Sequence, residues 1–120
     1  MKVLAESSKY QILNEYEYVF LKIKKDSRLI NIGDFYGEPQ FALISEEEEY
    51  CAVGGAGLII YYLTEPFVEY TYNIECSQWR EWGRGNANDT IWVNNIVRVD
   101  NNCIEIETED MQNIILNVRI

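Results

Sequence analysis

The 120-residue chain has no histidine, only three cysteines and two prolines, and half as many bases as acids. Lacking histidine, it has no Ser-His-Asp or Cys-His arrangement, because the usual general base is missing. Cys51, Cys76 and Cys103 are odd in number and share no CxxC spacing, so neither a zinc site nor any other metal or cofactor is expected. They read as buried free thiols in a reducing compartment, packed as small hydrophobes. The longest apolar run, residues 58–63, has the length of a strand. A membrane-spanning helix needs roughly 20 such residues, so no membrane association is expected. The N-terminus is acidic by Glu6 and shows no apolar signal-peptide core, which places the expected protein in the cytoplasm. No linker, low-complexity tract or repeat divides the chain, and a single domain over residues 1–120 is expected.

Acid is present in excess. Twenty Asp and Glu against ten Lys and Arg give a net charge of −10. Between Asp34 and Asp110 lie sixteen acids and three bases, Arg80, Arg84 and Arg98, whereas the first 33 residues carry four acids and six bases. A field of that sign repels nucleic acid and anionic lipid and attracts cationic surfaces over a Debye length of roughly 10 Å. Single-stranded nucleic acid, which Arg and aromatic side chains together can bind, also needs a positive groove.

Nine Tyr, four Phe and three Trp among many Ile and Val point to strands. Period-two alternation predicts strands over residues 10–13, 17–25 and 29–32, with a turn at Lys25-Asp26-Ser27-Arg28. In the second of these, Val19, Leu21 and Ile23 share one face. Residues 33–39 read as loop. Residues 41–45 and 50–53 flank the run Glu46, Glu47, Glu48, Glu49, and residues 58–63 are apolar on both faces, as a central strand would be. A hairpin is predicted from residues 92–99 and 103–108 around Asp100-Asn101-Asn102, with Asn94-Asn95 marking a bulge or a tight turn, and a last strand ends at Ile120. For residues 64–83 we expect a strand over 69–74 and then one or two helical turns that end at Gly83. The expected fold is mainly antiparallel β, a sandwich or a curled barrel-like sheet with at most one short helix.

Three groups of residues attract attention. Glu46, Glu47, Glu48 and Glu49 form either a solvated hairpin tip or an anchor for Lys and Arg on a partner; they lack the interleaved pattern of a calcium loop. Trp79-Arg80-Glu81-Trp82 combines the residue types enriched at binding hot spots, with core packing as the alternative for the tryptophans. Glu105 and Glu107 oppose Ile104 and Ile106 and should make one wet face acidic. The Gly54-Gly55-Ala56-Gly57 stretch lacks the Lys-Ser/Thr of a phosphate loop and reads as a tight turn or a bulge.

The segments Gly33-Asp34-Phe35-Tyr36-Gly37-Glu38-Pro39, Phe41-Ala42-Leu43-Ile44-Ser45 and Gly54-Gly55-Ala56-Gly57-Leu58-Ile59-Ile60-Tyr61, about a quarter of the chain, resemble the small acidic immunity proteins of bacterial polymorphic and contact-dependent toxin systems. The resemblance implies a non-enzymatic inhibitor that covers the active or substrate-binding surface of a cognate toxin domain, in many cases a basic nuclease. It transfers no functional residue. Residues of the expected partner-binding surface are therefore Glu46, Glu47, Glu48, Glu49, Trp79, Arg80, Trp82, Glu105 and Glu107, on a monomer or weak homodimer. Two other classes stay open. One is a carboxylate-dependent hydrolase of a sugar-like substrate using Asp34, Glu38, Glu69 or Glu75, which needs two carboxyl groups roughly 5–10 Å apart. The other is a general protein-interaction adaptor.

Overall fold

Alternating apolar residues bury one face of a strand, but residues 50–62 are apolar at almost every position, and that sets the architecture. In the computed structural model, which describes residues 1–85 and 89–119, these residues form β6 (Tyr50–Gly55) and β7 (Gly57–Tyr62), and only Tyr62 among them is not fully buried. Cys51, Val53, Ile59 and Tyr61 face one apolar core; Tyr50, Ala52, Leu58 and Ile60 face another. The strands belong to a central sheet ordered β5-β6-β7-β8, with β5 spanning Phe41–Ile44 and β8 Trp79–Trp82. On one side lies a meander of β1 (Lys2–Glu6), β2 (Tyr10–Glu15), β3 (Tyr18–Ile23) and β4 (Arg28–Asp34). On the other lies a three-stranded sheet, ordered β11-β10-β9, of β9 (Val93–Arg98), β10 (Cys103–Thr108) and β11 (Asn113–Asn117). All pairings between these strands are antiparallel. The result is a three-layered sandwich, not a closed barrel. Its radius of gyration, 13.2 Å, is that of one compact domain of this length.

Each outer layer supplies the complementary apolar face. Ile12, Val19, Leu21, Ile23 and Ile32 come from the meander, while Val93, Ile96, Ile104 and Ile106 come from the third sheet. Glycine lets the layers close. A Cβ on Gly54 would lie 2.7 Å from Val93 Cγ1, between the central and third sheets. At Gly57 a φ of +86° and a Cβ position 2.2 Å from Arg84 Cγ require glycine, and Gly55 pairs with Gly57, so of the two readings of this stretch the structure shows the tight turn.

The turn at Lys25-Asp26-Ser27-Arg28 and the β9–β10 hairpin are as anticipated, and of the two readings of Asn94-Asn95 the structure shows the bulge. Glu107 pairs with Asn95 and Thr108 with Val93, which leaves Asn94 as the extra residue. Other expectations are corrected. Residues 69–74 form no strand and residues 76–82 no helix. Side chains fix this stretch instead. Gln78 Nε2 donates to the Tyr62 and Thr64 carbonyls at 2.7 and 3.0 Å, and the Tyr61 hydroxyl donates to the Val68 carbonyl at 2.6 Å. Tyr70 drops into the core and its amide donates to Asn31 O. Gly33 and Asp34, expected in a loop, complete β4, and Trp92 precedes β9 as an isolated bridge to Ala56. β1 has no counterpart among the predicted strands. Ile120 and residues 86–88, the middle of the polar loop between Trp82 and Trp92, lie outside the described residues. Among the described residues, no helix is long and apolar enough to cross a membrane.

Candidate partner-binding face

One face of the third sheet is buried against the central layer, and its other face is uncovered. Strand alternation places Cys103, Glu105 and Glu107 on that outer face, because Ile104 and Ile106, both at 0% exposure, point inward. The register then fixes three rows across the sheet. Glu107 stands between Asn95 and Asn113, and Glu105 between Val97 and Ile115. Cys103 is paired with Asn117 on one side and receives the Val99 amide on the other. Val97, Val99 and Ile115 are 48, 52 and 62% exposed. None of these rows contains a base.

The β10–β11 turn extends the acidic ground with Glu109 and Asp110, the latter accepting a hydrogen bond from the Thr108 hydroxyl. Met111 at its tip is 87% exposed. Beside the turn, Thr90, Ile91, Trp92, Glu109 and Asp110 line a recess of about 340 Å³. Trp92 is 39% exposed there, edge-on to Tyr36 at 6.4 Å between ring centroids. Glu105, Glu107, Glu109 and Asp110 form no ion pair among the described residues.

Two nearby bases, Arg98 and Arg119, are held by the glutamate run. Glu46 pairs with Arg98 at 2.9 Å and Glu49 with Arg119 at 2.7 Å. Glu48, at a φ of +57°, reaches the opposite layer and accepts from the Ser7 and Ser8 hydroxyls at 2.6 and 3.1 Å and from the Lys9 amide at 2.9 Å. Those bonds, Ser7's foremost, hold its carboxyl below the usual range. Glu47 is pushed above it by the hydrogen bond and repulsion of Glu49, while Arg119 pulls Glu49 below. The tip of the β5–β6 hairpin thus ties the central sheet to both outer layers. Among the described residues, Glu47 is the one of its four acids without an ion-pair or hydrogen-donating partner outside the run.

Trp79 is 5% exposed, stacked on Tyr61 with 6.4 Å between centroids, and its indole N–H donates to the Ile74 carbonyl at 3.2 Å. It is a core residue and cannot meet a partner. Three positions on along the same strand, Trp82 packs against the other core. Arg80 is exposed and donates to the Asn117 carbonyl at 3.0 Å. The structure therefore brings Glu105 and Glu107 together on an open face, sets Glu46–Glu49 at a separate corner, and removes Trp79. Trp92, which sequence reasoning passed over, is the tryptophan beside the acidic turn. Its place at the very start of the predicted strand, next to the polar loop, was the available signal.

The four acids considered for hydrolysis have different surroundings. Asp34 lines a recess of about 300 Å³ with Glu17 and Arg84, and Glu75 lines a different one. Glu38 accepts from Asn14 and Glu69 from the Asn31 amide. Glu17, the other acid beside Asp34, accepts from the Gly37 amide at 2.6 Å. Above that recess Arg84 Nε lies 2.8 Å from Glu81 Oε1, close enough to pair but misaligned for a hydrogen bond. Among the described residues, no group of three or more Cys, Asp or Glu is placed to hold a metal ion. No protein-family model matches the chain, and no curated protein is significantly similar to it.

Proposed function

We propose that this is an immunity protein, which binds a cognate bacterial toxin domain, a basic nuclease by preference, and occludes its active or substrate-binding surface. The observation that supports the reading best is the uncovered face of the third sheet, where acids occur without bases around exposed Val97 and Ile115. Carboxylates spaced along strands offer a cationic cleft the charge it uses to hold phosphates. They also steer encounter, raising association rates toward 10⁸ M⁻¹s⁻¹ or more at low salt. Apolar side chains between them lose water on contact and slow dissociation.

Size sets a requirement on this interface. Three strands of about five residues cover roughly 250 Å² in projection, against about 800 Å² per partner in a standard complex. The contact must therefore run over the β10–β11 turn to Met111 and Trp92. Co-expression with a candidate basic toxin domain tests the reading. Wild-type protein should restore growth, and the Glu105→Lys/Glu107→Lys variant, still folded by circular dichroism, should lose protection. Full protection by that variant would exclude this face.

A further inference from the structure

The bases of the N-terminal third take no part in the acidic face, and the fold collects several of them in one place. The β1–β2 and β3–β4 turns lie side by side, joined by the Lys24 amide donating to Lys9 O at 3.0 Å. Together with residues 63–67 they enclose a recess of about 540 Å³. That lies within the roughly 300–1,000 Å³ typical of small-ligand pockets. Its floor is apolar: Tyr10, Ile23, Leu63 and Phe67, with Tyr10 edge-on to Phe67 at 6.3 Å between centroids. Its rim carries Lys9, Lys24 and Lys25, and Arg28 stands 5.9 Å from the Phe67 centroid.

The acids around it are already engaged. Glu65 is bound by Arg28 at 2.5 Å, Glu6 by Lys24 at 2.6 Å, and Glu48 by the Ser7 and Ser8 hydroxyls and the Lys9 amide. The ammonium groups of Lys9 and Lys25 have no ion-pair partner among the described residues. The Tyr10 hydroxyl likewise has no hydrogen-bond partner among them, and burial pushes its phenol above the ordinary range, so it stays a donor at neutral pH. In a chain of net charge −10, two ammonium groups outside any ion pair among the described residues, and within electrostatic reach only of acids already engaged by other groups (Glu48 for Lys9, Asp26 and Glu65 for Lys25), mark a different chemistry over this apolar floor from the rest of the surface.

We propose that this recess binds a small amphipathic anion, an acyl or aromatic body seated on Tyr10, Ile23, Leu63 and Phe67 with its carboxylate between Lys9 and Lys25. The site lies on the meander side of the central sheet, so it is independent of the acidic face. Fluorescence titration with 8-anilinonaphthalene-1-sulfonate, competed by decanoate and by decanol, tests it on the intact protein. One saturable site is expected, displaced by decanoate at least tenfold more effectively than by decanol, with amide shifts at Tyr10, Ile23 and Phe67. The exposed pair Lys9→Glu/Lys25→Glu should weaken binding at least tenfold while circular dichroism is unchanged. Equal affinity in that variant, decanol competing as well as decanoate, or no saturable binding at millimolar probe would overturn the proposal.

Discussion

At neutral pH the Glu48 carboxylate accepts three hydrogen bonds from the β1–β2 turn, and these lower its proton affinity in the folded state. A depressed folded-state pKa adds stability above the unfolded carboxylate range, near pH 4, and that contribution disappears as pH falls through the folded value. Glu48→Gln should therefore be less stable than wild type at pH 7, with the gap closing toward about pH 3. Urea unfolding at both pH values checks this; a gap independent of pH would mean that the charge of Glu48 is not what the turn binds. Thiol chemistry follows burial in the same way. Cys51 is at 0% exposure, and desolvation pushes its thiol up to about 12. Cys76 and Cys103 are only partly buried. Iodoacetamide at pH 8 should label those two in the folded protein and reach Cys51 only on unfolding, as peptide mass mapping would show.

At the scale of elements, the β6–β7 hairpin decides the fold because it has two buried faces. Gly54 is where the third sheet comes closest. Gly54→Ala should cost about 1–3 kcal/mol through overpacking against Val93, and Val93→Ala should recover part of that loss in the double variant. Additive losses would show that the added methyl group is accommodated elsewhere. The double-sided apolar run 58–63 made this central position legible in the sequence, as did the alternation of Val19, Leu21 and Ile23 and of Ile104 and Ile106. Residues 64–78 were not legible. Their conformation depends on Gln78, Tyr61 and Tyr70 bonding to backbone distant in the chain, and local periodicity carries no trace of such contacts. Trp79-Arg80-Glu81-Trp82 shows the consequence. On a helix the two tryptophans would share a face, whereas on β8 each enters a different core. β1 escaped notice because its residues are exposed or half-buried, which leaves little alternation to read.

For the whole molecule, the charge count was legible but its arrangement was not. Among the described residues six acids are held in ion pairs, Asp26 and Glu65 sharing Arg28: Glu6, Asp26, Glu46, Glu49, Glu65 and Glu81. The glutamate run, the most conspicuous acidic feature of the sequence, mostly fastens one layer to another. The unpaired acids of the third sheet emerge only from register, which sets Glu105 and Glu107 among Val97, Ile115 and asparagines. Steering by such a face has a kinetic signature distinct from that of apolar contact. The decisive measurement is the association rate constant with a basic nuclease domain against which the protein protects, by stopped-flow, across about 0.02–0.5 M salt. The account predicts a fall of at least tenfold over that range for wild type, and a slower, flatter dependence for Glu105→Lys/Glu107→Lys. A rate indifferent to salt, or identical in the two proteins, would contradict it.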